Sequence, residues 1–228
     1  AQMVAGHSYA LALGDTPLQV NSAQCLGWTD PDVLKARWGD DYERFHALLV
    51  QAAQTVGNSV LTYGGSPAAA CYHSISAGHT EASQNVWETA LPYLQGVPSP
   101  ADLAADGYET TVEYSPEQVS AVLTSLELEP GNDPAAWFGD AVRDDAGYIT
   151  AQTVCGTAVS GTKMRRAFHL RSASFSVEYN GTSFCFTTHG YGHGVGLSQY
   201  GAKALAEQGR TWQEILLYYF PGCEIHHS

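Results

Sequence analysis

The segment HGYGHGVGLSQYGAKALAEQG, which begins at His189, carries the residue types in this chain that are best suited to recognition chemistry. Glycine at every second position lets the backbone bend or be approached closely, while the side chains between the glycines project from it. The glycines do not follow the G-x-G-x-x-G spacing of nucleotide-binding loops, and they make a metal-binding helix over His189 and His193 costly. We interpret the segment as a loop or distorted strand that lines a recognition groove; a glycine turn before a helix is the simpler alternative.

Three residues after the glycines, Ser198, Gln199 and Tyr200, have side chains that suit saccharide binding. Planar amides hydrogen-bond sugar hydroxyls and acetamides, and aromatic rings pack on the C–H faces of sugar rings. The alternative is structural: Ser198 caps a helix over residues 201–208 and Tyr200 lies in the core.

A second set of candidates follows a predicted β-hairpin. Gly64-Gly65 separates two apolar runs, 60–63 and 68–73, which predicts a turn between two strands and places His73 and Ser74 at a strand end. His79 comes shortly afterwards in a loop that can return towards them. Each of these side chains has a purely structural alternative, because buried polar groups are usually satisfied by the fold itself.

Several segments, in order along the chain, closely resemble the stage II sporulation protein D (SpoIID) and LytB amidase-enhancer family. The opening AQMVAGHSYAL is similar to the family's AQAVAARTYAL helix, and the glycine loop is similar to its C-terminal signature. The other matching stretches are RWGDDYERF, VLTYGGSPAAACYHSISAGHTEAS, VWETALPYLQGVPSP and GTKMRRAFHLRSASF. The linked motifs span nearly the whole chain, which makes the resemblance far more specific than any one of them.

The resemblance implies a lytic transglycosylase that cuts peptidoglycan glycan strands already stripped of stem peptides, during engulfment in spore-forming bacteria. In such enzymes one glutamate serves as acid and then as base, and the product carries an anhydro sugar. The family's glutamate lies upstream of the AQ helix, so we expect the catalytic residue N-terminal to Ala1. Glu81, in the stretch HTEAS, is the internal carboxyl nearest to a family motif, and we expect it to be a solvated loop carboxylate. The alternatives are a non-catalytic wall-binding or amidase-enhancing module and a structural partner in an engulfment complex.

The resemblance supports part of the set of candidate substrate-binding residues. The family's groove is lined by a YHSTSGG-like stretch, and its opening helix has an Arg-Thr pair where this chain has His7-Ser8. The full set expected to contact glycan is His7, Ser8, His73, Ser74, His79, Arg166, His193, Ser198, Gln199 and Tyr200.

We expect no metal and no cofactor. The clostridial branch of the family has a His, Cys and His-Cys set before the RWG helix, whereas the corresponding stretch here keeps only Cys25, and one thiolate cannot close a tetrahedral zinc site. Cys25 is therefore predicted to be a buried free thiol. The remaining cysteines, Cys71, Cys155, Cys185 and Cys223, are predicted to be reduced.

Charge narrows the partners further. The formal net charge of −13 argues against nucleic acid and anionic membrane surfaces. Residues 101–150 hold eleven acidic residues and one basic, whereas residues 156–206 hold one acidic and five basic. A stripped glycan keeps a lactyl carboxylate on each muramic acid, so the basic track suits that polymer; solvated surface charge is the alternative. Other wall-remodelling proteins are further candidate partners, and the resemblance implies an extracytoplasmic location with an anchor outside this chain.

The coarse organisation is α+β, with mixed strands and helices around a substrate groove in a single domain over 1–228 and a smaller acidic sub-lobe at about 101–150. No apolar run of about 18 residues is present. Capping boxes at Ser115 and Thr211 predict helix starts, and Asn180-Gly181 predicts a type I′ hairpin. The expected helices are 1–12, 42–56, 116–126, 201–208 and 212–219, with another beginning near Pro31; the later strands are 148–154, 158–160, 175–179 and 184–188.

Overall fold

The structure, a computed structural model, describes residues 1–16, 29–87 and 89–227 and confirms the α+β class. Two compact units are present: Ala1–Cys71 with Gly222–Ser228, and Tyr72–Pro221. We call them unit 1 and unit 2. Cys25 and most of the stretch predicted to lack zinc lie outside the described residues. Among the residues that are described, no helix has the length and apolar character needed to cross a membrane.

Unit 1 joins helices to a small antiparallel sheet. Its elements are α1 (Gln2–Ala12), α2 (Pro31–Trp38), a 3-10 turn (Gly39–Asp41), α3 (Tyr42–Val56), β1 (Ser59–Tyr63), β2 (Ser66–Pro67) and β11 (Glu224–His227). As predicted, α2 begins beside Asp30, whose carboxylate accepts from the N–H of Asp32 at 2.8 Å. Strand β1 lies between β11 and β2, and its residue Leu61 is fully buried. The second strand of this hairpin is Ser66–Pro67 and not 68–73 as predicted. Of the predicted strand only Tyr72 and His73 are extended, and they pair with Leu197 and Ser198 instead of with β1.

Unit 2 contains the remaining strands and helices. They are β3 (Tyr72–His73), α4 (Ser83–Trp87), β4 (Glu109–Tyr114), α5 (Pro116–Ser125), β5 (Phe138–Arg143), β6 (Ile149–Val154), β7 (Thr157–Val159), α6 (Gly161–Ala167), β8 (Phe175–Tyr179), β9 (Phe184–His189), β10 (Leu197–Ser198), α7 (Gln199–Glu207) and α8 (Trp212–Tyr219), with 3-10 turns at Pro100–Ala104 and Pro134–Ala136. The strands form antiparallel sheets in the orders β4-β9-β8 and β5-β6-β7, and β3 pairs in parallel with β10.

Most of the sequence signals in unit 2 are confirmed. Both capping boxes are present, at Ser115 before α5 and at Thr211 before α8. The hairpin between β8 and β9 is also present, but its predicted type I′ turn is wrong. Four residues separate the paired ends Tyr179 and Phe184, where a type I′ turn would leave two. The backbone of Asn180 does not have the positive φ that this turn needs, and its side-chain oxygen accepts from the N–H groups of Thr182 and Ser183.

The main core of unit 2 lies between the two antiparallel sheets and the helices beside them. Its buried side chains include Val119 and Leu123 of α5, Met164 of α6, and Phe175 and Phe186 of the hairpin. Helix α5 belongs to the acidic stretch 101–150, so that stretch contributes directly to this core. The four described cysteines are free, and Cys223 is buried.

Candidate functional site

The short parallel strand pair brings two predicted segments together. Strand β3 lies beside β10, and beyond them the N–H groups of Ser74 and Ile75 both donate to the carbonyl of Tyr191, at 3.1 and 3.0 Å. Residues 72–75 and the loop 189–200 therefore form one structure, which we call the histidine site.

The glycines of the loop permit close backbone approach, as their alternation predicts. A Cβ on Gly192 would lie 2.6 Å from the Cβ of His73, and the backbone there has φ of +124°. A Cβ on Gly194 would lie 2.6 Å from the hydroxyl oxygen of Tyr148, again at positive φ. Only glycine has no Cβ to overlap with these neighbours and also adopts a positive φ without strain. Glycine at these two positions therefore allows the loop to pack closely on His73 and Tyr148.

His73 is held as a neutral ring inside the histidine site. Its side chain is 4% exposed, and its Nδ1 lies 3.1 Å from the carbonyl oxygen of Val195. Because a carbonyl only accepts, Nδ1 carries the proton and Nε2 is an acceptor, which is buried without a hydrogen-bond partner among the described residues. Burial, together with the nearby charge of Arg165, lowers the pKa of His73 to about 4, so the ring is neutral at pH 7.

His193 has the opposite tautomer. The N–H of Val195 donates to its Nδ1 at 3.1 Å, so the proton is on Nε2, and the ring also hydrogen-bonds the backbone of Tyr72. Burial is the largest of the causes that lower its pKa to about 3. The indole of Trp87, which is 41% exposed, lies against this ring with centroids 5.0 Å apart. His193 therefore positions an aromatic surface and keeps its own charge at zero.

Ser198 is committed to the fold. It has no exposed surface, it caps α7 by accepting from the N–H of Gly201, and its hydroxyl donates to Asp102 at 2.9 Å. Asp102 is also fully buried and accepts from both the N–H and the hydroxyl of Ser76. This network of hydroxyl and carboxylate groups fixes the start of α7. The contacts of Ser198 are therefore those of a helix cap, which was the structural alternative to sugar binding.

The other members of the C-terminal trio reach the surface. Tyr200 is 38% exposed, so it does not lie in the core, and Gln199 is half-buried. Both belong to the first turn of α7, and the N–H of Tyr200 donates to the carbonyl of Ser74 at 3.2 Å. Ser74, itself half-buried, is thereby adjacent to them in the histidine site.

The structure places His79 and Arg166 on other parts of unit 2. The Nδ1 of His79 lies 2.8 Å from the carbonyl of Thr80, and the residue forms a β-bridge with Pro98. Arg166 is exposed on α6, next to Arg165, whose charge reaches His73. His79 thus supports the 96–98 segment, whereas Arg166 remains a candidate for the rim of the histidine site.

His7 and Ser8 lie in unit 1. Ser8 is fully buried and its hydroxyl accepts from the N–H of Leu61 at 2.8 Å while it donates to the carbonyl of Val4. It therefore fastens α1 to β1. His7 is exposed, and its Nδ1 lies 3.2 Å from the carbonyl of Ser59.

Glu81 is not the solvated carboxylate expected from the sequence; that expectation is wrong. Only 4% of the residue is exposed, and its Oε1 accepts from the N–H of Ala82 at 2.6 Å and from the amide of Asn85 at 2.9 Å. Burial first, and then a hydrogen bond with Asp144, raise the pKa of Glu81 to about 8. The Oδ2 of Asp144 is buried and has no hydrogen-bond partner among the described residues, so a neutral Glu81 can donate its proton there.

This carboxyl pair lies directly against the glycine loop. The N–H of Glu81 donates to the carbonyl of Gly194 at 2.8 Å, and Asp144 accepts through Oδ1 from the N–H of Tyr148 at 2.9 Å. The Tyr148 hydroxyl in turn accepts from the N–H of Ala77 at 3.1 Å. The pair therefore connects the turn before β6 with the loop that carries His193.

Several residues of the site were not selected from the sequence. Trp87 is an exposed aromatic side chain against His193, and Tyr191 is an exposed one that stands between glycines in the loop. Asp102, Asp144 and Glu81 act through contacts that join distant parts of the chain. Sequence spacing carries no signal for such contacts, whereas the exposed aromatic residues could have been found.

Comparison with known proteins identifies the relatives of this chain. Stage II sporulation protein D of Bacillus subtilis (strain 168) is 34% identical over 193 residues, which cover 84% of this chain and 55% of that protein. Over most of its length the chain is similar to the SpoIID and LytB family. Another family member, stage II sporulation protein D of Bacillus amyloliquefaciens, is 34% identical over 201 residues with the same coverage. The family's amidase enhancer from Bacillus subtilis is 25% identical over 283 residues, or 99% of this chain and 37% of that protein.

The match to the family is partial in length. The chain spans about half the length of the SpoIID proteins that it matches, at 55% of each. No protein-family model matches the chain. The names of these relatives refer to sporulation and to the enhancement of an amidase.

Proposed function

We propose that this chain is the glycan-recognition region of an extracytoplasmic lytic transglycosylase, which acts on peptidoglycan strands stripped of stem peptides in sporulation-type wall remodelling. The observation that carries the proposal is the joining of residues 72–75 to the loop 189–200 in one structure with exposed aromatic and polar side chains. Both segments are among those by which the chain resembles the SpoIID family.

The exposed side chains supply the contacts that a sugar polymer needs. Trp87, Tyr191 and Tyr200 are 41%, 47% and 38% exposed, and such rings pack on the C–H faces of sugars. The half-buried amide of Gln199 can both donate to and accept from hydroxyl and acetamide groups. The neutral His73 and His193 hold the loop in place and do not act as acids at pH 7, because burial keeps both pKa values near 4 or below.

The proposed reaction needs one carboxyl group that acts twice. It first protonates the glycosidic oxygen, and as a carboxylate it then takes the proton of the muramic 6-hydroxyl, which attacks the anomeric carbon and closes an anhydro ring. We assign that group to the family glutamate N-terminal to Ala1. Glu81 is unsuited to the role because it is 4% exposed and its carboxyl group is bound by Ala82, Asn85 and Asp144.

A second candidate function is a non-catalytic wall-binding or amidase-enhancing module. It is favoured by the match of the amidase enhancer to 99% of this chain, against 84% for stage II sporulation protein D. His7 and Ser8 also replace the family's Arg-Thr pair, and histidine does not form the bidentate carboxylate contact of arginine.

Mass spectrometry of glycan products distinguishes the two functions. Peptide-free strands are incubated with the 228-residue chain and with a form extended at the N-terminus by the natural upstream residues, and 1,6-anhydromuramic ends are counted. We expect such ends from the extended form only, and a Glu→Gln change at the upstream glutamate should remove them. Strand binding by both forms without anhydro ends would support the binding module, and absence of binding would overturn both functions.

A further inference from the structure

Arg171 and Arg165 lie near Tyr191 at one edge of the histidine site, and Arg166 is the neighbour of Arg165 on α6. The guanidinium carbon of Arg171 lies 4.1 Å from the centre of the Tyr191 ring, and the Nε of Arg165 donates to the backbone carbonyl of Arg171 at 3.1 Å. Arg166 follows Arg165 on α6 and is exposed. After burial, the charge of Arg166 is the largest cause that lowers the pKa of Arg165, so the two cations are close enough to repel each other.

None of these arginines forms an ion pair with a carboxylate among the described residues. The ion pairs within 4.0 Å there involve Lys35, Arg44, His189, Lys203 and His226. In addition, the Nε of Arg171 is buried and has no hydrogen-bond partner in that same part of the chain. The chain has a formal net charge of −13, so carboxylates outnumber basic groups. Guanidinium groups that have no carboxylate partner are therefore unusual in this protein.

The structure also shows which basic residues of the track predicted over 156–206 lack an acidic partner among the described residues. The Nζ of Lys203 lies 3.7 Å from a carboxylate oxygen of Glu207, one turn further along α7. This ion pair partly neutralises the charge of Lys203. The guanidinium groups near Tyr191 are not neutralised in this way, and the charge of Arg165 acts on both His73 and His193. The positive potential therefore concentrates at the arginines beside the glycine loop.

We propose that Arg165, Arg166, Arg171 and Tyr191 form a subsite for the carboxylate of a sugar acid, which in a peptidoglycan strand is the lactyl carboxylate of muramic acid. Guanidinium groups bind carboxylates through paired, charge-assisted hydrogen bonds. Tyr191 is 47% exposed although Arg171 packs on it, so ring surface is available to the sugar that bears the carboxylate. The inference rests on the proposed function and adds the group of the substrate that is recognised.

The test compares two forms of one ligand. Peptide-free glycan strands are used as prepared, or after their lactyl carboxylates have been converted to neutral methylamides, and binding to the 228-residue chain is measured by titration calorimetry at low salt. We expect the carboxylate form to bind about tenfold more tightly, because charge-assisted hydrogen bonds are stronger than neutral ones. Added salt should reduce this preference.

Variants assign the preference to the subsite. Arg171→Gln and Arg166→Gln should each weaken binding of the carboxylate form severalfold and leave the methylamide form unchanged. Arg210→Gln is the matched control, since it removes one exposed positive charge of unit 2 near Glu214. Arg166 is exposed, so its variant stays informative even if Arg171→Gln fails to fold.

The outcomes separate this inference from the proposed function. Equal binding of the two strand forms by the unmodified chain would overturn the carboxylate subsite and leave glycan recognition intact. A preference that Arg166→Gln and Arg210→Gln reduce equally would overturn the residue assignment. Failure to bind either strand form would overturn the proposed function itself.

Discussion

Glu81 and Asp144 face each other through their carboxyl groups in unit 2, although 62 positions of sequence lie between them. Asn85 and the N–H of Ala82 satisfy one oxygen of Glu81, and the N–H groups of Ala146 and Tyr148 satisfy one oxygen of Asp144. A proton on one of the two remaining oxygens removes the repulsion between two carboxylates. The contact is therefore stable in the singly protonated state.

This pair predicts a loss of stability as the pH rises. Burial and Asp144 raise the pKa of Glu81 from its ordinary value of 4.5 to about 8. Between these values the folded chain holds a proton that the unfolded chain has released, so the free energy of unfolding falls with pH by up to about 1.4 kcal/mol per unit. Below pH 4.5 the contribution is fully present, and above pH 8 it is lost.

Glu81→Gln tests this prediction, because an amide can donate to Asp144 at any pH. Urea unfolding at pH 5 to 9 should show similar stability for the variant and the natural chain at pH 5, and a more stable variant at pH 8. Glu178→Gln removes an exposed carboxylate of β8 and is the control. Parallel pH profiles for the natural chain and Glu81→Gln would contradict a shared proton.

His73 predicts the opposite dependence at acidic pH. Burial lowers the pKa of His73 from 6.5 to about 4. Within this range the unfolded chain binds a proton that the folded chain excludes, so stability is present above pH 6.5 and is lost as the pH falls towards 4. His73→Asn keeps an amide donor near the carbonyl of Val195 and should reduce the slope of the profile between pH 6.5 and 4, where His193, whose pKa burial also lowers, keeps its own contribution. Chemical unfolding at half-unit steps measures this; an unchanged slope would show that the ring is not the group responsible.

The packing of the glycine loop predicts a large cost for one added methyl group. In Gly192→Ala the new Cβ would lie 2.6 Å from the Cβ of His73, at φ of +124°. We expect a loss of at least about 3 kcal/mol in unfolding free energy, from steric overlap together with backbone strain. Gly181→Ala is the matched control, because φ is +97° there but nothing lies within 4 Å, and about 1 kcal/mol is expected. Thermal unfolding that gives the same loss for both variants would show that the contact with His73 does not matter.

Local signals in the sequence identify most of the fold. Capping boxes at Ser115 and Thr211 and the apolar runs of β8 and β9 are determined by neighbouring residues, so their elements are found within a residue or two. The strand predicted over 68–73 fails as the second strand of the hairpin because pairing depends on a partner elsewhere: Ser66 and Pro67 pair across the turn, and Tyr72 and His73 pair with Leu197 and Ser198 instead. The turn at Asn180 fails because its side chain replaces the backbone geometry that Asn-Gly usually signals.

The site is less accessible to sequence reasoning for the same physical reason. Glycine alternation indicates close packing, and the structure confirms it at Gly192. The partners that decide what each polar residue does lie far away in sequence: Asp102 for Ser198, Asp144 for Glu81 and Leu61 for Ser8. Residue type alone therefore cannot separate a buried structural hydroxyl from an exposed one.

Ser198 and Tyr200 test whether burial distinguishes a structural residue from a binding residue, because they are close in sequence and differ in exposure. Ser198→Ala removes the cap of α7 and a hydroxyl donor to the buried Asp102, so we expect a loss of about 2 kcal/mol in unfolding free energy. Tyr200→Ala removes a ring that is 38% exposed, and it should weaken glycan binding about fivefold with little change in stability. Binding is compared at a temperature where both variants are folded. If Ser198→Ala lowers affinity there as much as Tyr200→Ala while its stability is unchanged, then Ser198 contacts the substrate and its buried position in the network must open on binding.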